Sequence, residues 1–138
     1  MGRVLALDHG TRRVGVAVSD SLRMTAQPHG TLDRDDPELL NRLREMVDDL
    51  DVDEIVVGLP VSLDGTEGPS AIAARAFAGE VGAATGHEVV LHDERFSTAT
   101  AERILLEADV RRKKRKDVRD RLAAAVFLQS YLDAQEMR

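Results

Sequence analysis

Apolar runs separated by polar breaks organise this chain from its first residues. Val4-Leu5-Ala6-Leu7 is a short continuous apolar run, the pattern of a strand buried on both faces. It ends in Asp8. A tight polar connection, His9 to Arg13, leads to a second run, Val14 to Ser19, and the two predict a β-hairpin. Residues 22–32, broken by Pro28-His29-Gly30, predict a third short strand at the sheet edge. Leu39, Leu40, Leu43, Met46, Val47 and Leu50 then recur at helical spacing, with Asp36 as N-cap and Pro37 in the first helical position. Ile55 to Pro60 predicts a buried strand parallel to the first, reached through that helix.

A polar, Gly-rich loop, Val61 to Ser70, follows this strand at the end where open α/β sheets place ligands. Ala71 to Thr85 predicts a helix, and Glu88 to His92 a fifth strand. Ser97 or Thr98 caps a predicted helix running to about Ala108. Arg111 to Lys116 has no apolar period and reads as a loop. Asp117 to about Gln135 predicts a last amphipathic helix that buries Ala124, Phe127, Leu128, Tyr131 and Leu132. The order β-β-β-α-β-α-β-α-α predicts an α/β fold: a five-stranded mixed sheet flanked by helices, in one domain over residues 1–138.

Composition narrows the chemistry. There is no cysteine, which excludes disulfides, thiolate metal sites and a thiol nucleophile. No apolar run has the length of a membrane span, and Met1-Gly2-Arg3 leads straight into the first strand, so a cytoplasmic protein with no membrane partner is expected. Phe77, Phe96, Phe127 and Tyr131 are the whole aromatic set, too few for a base-stacking platform. The net charge of −6 hides an uneven distribution: Asp33 to Glu54 is acidic, and Arg111 to Lys116 is unbroken positive charge.

Three carboxylates occupy comparable places. Asp8 ends the first strand, Glu94 follows the fifth, and Asp120 lies one turn before Ala124 on the sheet-facing side of the last helix. Asp93 and Asp117 are alternatives for two of these slots, and Asp8 alone is equally a turn residue before Gly10. Brought together, Asp8, Glu94 and Asp120 repel one another unless cations lie between them. Oxygen ligands favour Mg²⁺ or Mn²⁺. Two such ions roughly 4 Å apart are the usual device for phosphodiester hydrolysis.

Basic residues supply the complement. Arg111, Arg112, Lys113, Lys114, Arg115 and Lys116 are either a solvated loop or a grip on a polyanion beside the acidic site. Arg12 and Arg13 sit next to Asp8, and Arg95 next to Glu94, as candidate phosphate contacts. His9 is placed to hydrogen-bond the site, whereas His92 reads as facing a packed layer. The loop from Gly58 to Ser70 lacks the Lys-Ser/Thr ending of a P-loop.

Four segments, LALDHGTRRVGVAVSD, VVGLPVSLDGTEGPSA, DERFSTATAE and DVRDRLAAAVFLQSYL, together resemble the YqgF/RuvX family in order and spacing. The resemblance spans nearly the whole chain. It implies a ribonuclease-H-like fold and a metal-dependent nuclease of structured RNA, acting in 5′-end maturation of pre-16S rRNA, with ribosomal precursor particles as partners. The alternative it carries is a Holliday junction resolvase, which must be a two-fold dimer to cut two strands symmetrically. Its acidic residues carry over to Asp8, Glu94 and Asp120. His9, where an apolar residue is usual, and Arg12-Arg13, where Lys-Arg is usual, are departures that remove no ligand. Arg119 shifts nothing if Asp120 is the match. A different class, a nucleic-acid-binding assembly factor without hydrolysis, is disfavoured by retention of all three acids. A sugar-kinase or actin-like ATPase is disfavoured because one domain cannot enclose a nucleotide. Monomer and homodimer both stand.

Overall fold

The computed structural model describes residues 2–62, 64–94 and 115–136, with side chains for all of these except 115–121 and 136. Its strands are β1 (Arg3–His9), β2 (Arg13–Ser19), β3 (Ala26–Asp33), β4 (Val52–Leu59) and β5 (Val89–Asp93). Its helices are α1 (Leu39–Asp49), α2 (Pro69–Thr85) and α3 (Arg115–Glu136). They form one mixed sheet in the order β3-β2-β1-β4-β5. The first three strands are an antiparallel meander, and β1, β4 and β5 run parallel.

Alternation along each strand divides the core in two. Leu5, Leu7, Val14, Val16, Ile55 and Val57 point to one face, where they pack with Leu39, Leu43 and Val47 of α1 and Ala74, Phe77 and Val81 of α2. Val4, Ala6, Ala17 and Val56 point to the other, under Ala124, Phe127, Leu128 and Leu132 of α3. Each fully buried Leu or Ile contributes roughly 1.5–3 kcal/mol. The α3 side of the sheet is floored by small residues, Ala6 and Ala17 among them, so a helix with Ala124 and Ala125 on its inner face settles close.

Hydrogen bonds tie α3 down at its C-terminal half. The Gln129 amide spans the backbone leading into β3: the Ala26 N–H donates to Oε1 at 2.9 Å, and Nε2 donates to the Met24 carbonyl at 3.0 Å. The Tyr131 hydroxyl donates to Glu54 Oε1 at 3.0 Å and accepts from Gln135 Nε2 at 2.8 Å. Glu54 is held from the other side by Arg23, whose guanidinium also pairs with Asp53 and bonds the Gly2 carbonyl.

Element boundaries differ from the sequence reading by a few residues, and two helix starts show why. The helix expected from Pro37 begins at Leu39. The N-cap is Glu38, with no side-chain cap bond, and not Asp36 as expected; Asp36 instead braces the preceding turn, its Oδ1 accepting the Glu38 N–H at 2.9 Å and its Oδ2 accepting from Arg42 Nε at 2.6 Å. The residues between form a turn, with Glu38 at φ −93° and ψ 9°, so regular α geometry starts late. The last helix begins at Arg115 rather than Asp117, which places Arg115 and Lys116 in its first turn and not in a loop. Lys and Arg are good helix formers, and Asp117 and Asp120 follow where carboxylates oppose the helix dipole. The edge strand is present but starts at Ala26 rather than near Leu22 and runs to Asp33. His29 is the extra residue of a bulge, because Val16 pairs with Gly30 and Ala17 with Pro28. The helix expected over 97–108 lies outside the described residues.

Candidate active site

Asp8 lies near the C-terminal end of β1, opposite Gly15 of β2. By alternation it shares the α3 face with Val4 and Ala6. On the far side of β4, Glu94 is the first residue past β5, and its backbone N–H donates to the Leu59 carbonyl at 3.1 Å. That bond anchors the residue to the end of β4 and continues the α3-side alternation of Val90 and His92. The Glu94 side chain then turns back over Gly58. A Cβ at position 58 would stand 2.5 Å from its Cδ and 2.9 Å from its Cγ, and closer still to Oε1. Across Gly58 the carboxyl meets Asp8 in a hydrogen bond.

The electrostatics follow from that placement. Burial, then the charge of Asp8, then the hydrogen bond to Asp8 push the Glu94 carboxyl up to about 9, with a smaller contribution from Asp93. At neutral pH the pair therefore retains one proton, shared between Glu94 and Asp8. The two groups behave as one acidic pair that resists double ionisation in the absence of a cation. Asp120 lies on α3 one turn before the buried Ala124; its side chain is outside the described residues. Among the described residues no three acidic or imidazole groups come together as a complete metal cage.

The basic residues divide. Arg13 shares the face of Asp8, because Gly15 pairs with Asp8 and Arg13 is two residues along the same strand. Arg12 is exposed in the hairpin turn. Both line an open cleft of about 460 Å³ with Thr31, Leu32, Asp33 and Asp35. Arg95, Arg111, Arg112, Lys113 and Lys114 lie outside the described residues, and Arg115 and Lys116 are placed by backbone alone.

His9 does not join the pair. The strand period turns its ring to the opposite face, where it stacks on Phe77 with centroids 4.5 Å apart. Burial first, and Arg34 second, lower its pKa. His92 does face a packed layer. Its ring meets Tyr131 edge-on at 5.3 Å and lies over Phe127 at 6.5 Å. One contributor, Arg34, had no local signal strong enough to be singled out. Arg34 closes the hairpin turn by donating to the carbonyls of Gly10 at 3.2 Å and Thr11 at 3.4 Å. Gly58 did carry a signal, since a glycine inside a strand often marks close approach of another group.

A family model described as "RuvX: Holliday junction resolvase" matches residues 2–134. A protein of Geobacillus sp. (strain WCH70) named "Putative pre-16S rRNA nuclease" is 51% identical over 137 residues, covering 97% of this chain and 99% of the relative. One of the same name from Halothermothrix orenii is 46% identical over 134 residues, covering 96% of each chain. Among solved structures, Thermus thermophilus RuvC in complex with a Holliday junction substrate aligns with a TM-score of 0.60 at 16% identity, covering 99% of this chain and 96% of that one. At that identity the likeness is one of fold, the ribonuclease-H-like fold with its five-stranded mixed sheet. Among the described residues no helix is long and apolar enough to cross a membrane.

Proposed function

The chain belongs to the RuvX family, and from that premise we propose that it is a divalent-metal-dependent nuclease of structured RNA, with the precursor of 16S rRNA as substrate. The single observation that carries the reading is the Asp8–Glu94 pair, two carboxyls drawn together across β4 at the cost of a strongly perturbed proton. Strained acidic pairs at the C-terminal edge of a sheet cluster at functional sites.

The donor set fits Mg²⁺ or Mn²⁺. Asp8 and Glu94 are hard oxygen ligands already adjacent, and a cation there replaces the shared proton as the charge that holds them together. Asp120, one turn before Ala124 on α3, is the third ligand in this reading. Bound there, two ions supply the positive charge that activates water and stabilises the leaving oxygen. The remaining work falls to the chain itself. Asp8 and Glu94 orient the centre, α3 covers one face of the sheet, and Arg13 on the face of Asp8 takes a phosphate beside the cut. Arg12, Arg95 and the basic residues Arg111 to Lys116 hold flanking phosphates.

A second reading, resolution of a four-way DNA junction, is favoured by the description of the matching family. Cleavage of labelled substrates separates the two. A precursor rRNA fragment, linear single-stranded RNA and a DNA four-way junction are each incubated with Mg²⁺, Mn²⁺ or EDTA, beside Asp8→Asn. Metal-dependent cutting of the precursor, lost in the variant, is expected. Paired symmetric cuts confined to the junction would replace this reading with the second. Equal inertness of both proteins with RNA binding intact would leave a non-catalytic assembly factor.

A further inference from the structure

The proposed centre needs Asp8 and Glu94 side by side, yet β4 runs between the strands that present them. Adjacent strands lie about 4.8 Å apart, so the two residues start two strand spacings from each other. Glu94 has to cross β4 at the level of Asp8. The register places Gly58 there: Val57 pairs with Leu7, and Gly58 pairs with His92. Val56, two residues earlier on the same face, fills its own space under α3. At position 58 the space is occupied by the Glu94 side chain, three of whose atoms lie within 3.0 Å of where a Cβ would stand.

Glycine is not required at 58 by the backbone. The glycines with positive φ are Gly30, Gly65 and Gly86; Gly58 is not among them. Any residue could adopt its conformation, and most would make a better strand, since an interior glycine loses more chain entropy on folding. The reason for its presence is room.

We infer that Gly58 is a positioning residue for the proposed reaction: its missing side chain is the passage through which Glu94 reaches Asp8 across β4. Even one methyl group at 58 pushes the Glu94 carboxyl off that line and separates the two acids. The inference deepens the nuclease reading and rests on it for its catalytic consequence. Its steric content stands by itself.

Two measurements test it. The first is a cycle of thermal midpoints in EDTA for wild type, Gly58→Ala, Glu94→Ala and the double variant. The shift caused by Gly58→Ala is expected to differ between the two backgrounds, because in Glu94→Ala the added methyl enters vacated space. Equal shifts overturn the inference. If Gly58→Ala fails to fold alone, recovery of a folded double variant is the same positive result, and failure of both overturns it. The second is steady-state cleavage. Gly58→Ala is expected to lose on the order of a hundredfold in kcat with KM little changed, the size of effect that misplacement by about 1 Å produces. Wild-type kcat in Gly58→Ala overturns the inference. If wild type itself cuts nothing, the nuclease reading fails, and the cycle of midpoints still decides what Gly58 is for.

Discussion

The hydroxyl of Tyr131 on α3 donates to the carboxylate of Glu54 on β4 at 3.0 Å, and the second oxygen of that carboxylate accepts from Arg23 at 3.1 Å. One acid thus ties the last helix to the loop that follows β2. Tyr131→Phe removes the hydroxyl and keeps the ring against His92. Loss of about 1 kcal/mol in urea denaturation is expected, since Glu54 retains Arg23 and is not left bare. Cleavage at temperatures well below the midpoint should persist, because the Tyr131 contact lies at the opposite end of α3 from Asp120.

The raised pKa of Glu94 sets the pH dependence of the metal-free protein. Its folded value is about 9 against an ordinary 4.5, so between those limits the folded chain binds more protons than the unfolded one. The contribution is fully present below about 4.5 and is lost as pH rises through about 9. In EDTA, the midpoint should therefore fall from pH 5 to pH 9 more steeply for wild type than for Glu94→Gln. Parallel slopes would contradict the assigned proton. Adding Mg²⁺ at pH 8 should restore stability to wild type by mass action.

Asp8→Asn should separate stability from activity. It removes the nearest negative charge from Glu94 while leaving a group that can hydrogen-bond it, so the metal-free variant should melt higher than wild type at pH 8. Cleavage should fall by more than the roughly hundredfold that loss of an outer supporting partner costs. A variant that melts lower and still cuts would remove Asp8 from the centre.

His9→Phe should leave cleavage intact, because the ring stacks on Phe77 on the face opposite Asp8. Its pKa is lowered by burial and by Arg34, so the unfolded chain binds the proton more readily. The His9 contribution to stability is present above the unfolded value of about 6.5 and lost as pH falls through the lowered folded value. The variant should resist unfolding at pH 5 better than wild type. A large loss of activity at pH 8 would return His9 to the site.

Much of this arrangement was written in local pattern. The runs Val4–Leu7, Val14–Ser19 and Ile55–Leu59 have the length and apolarity of buried strands, and the spacing of Leu39, Leu43 and Val47 is that of a helix with one buried face. Asp8 and Glu94 were recognisable because each follows such a run, where a carboxylate finds water or a ligand. What local pattern does not hold is the strand order. Nothing in the first or the fifth apolar run predicts that β4 lies between them. The importance of Gly58 follows only from that order. His9 misled by adjacency in sequence: the period of two sends neighbours in a strand to opposite faces. Arg34 acts over a separation in the chain that no motif records. The residues around Arg111 could be read as charge and not as shape.

The position of β4 has a consequence for synthesis. A ribosome that has released only β1, β2 and β3 has made a meander carrying Asp8 and no partner for it. The pair arises only when β4 has inserted beside β1 and β5 has docked beyond it. A nascent chain that has not yet released β5 therefore cannot hold the two carboxyls together, whatever else of it has folded.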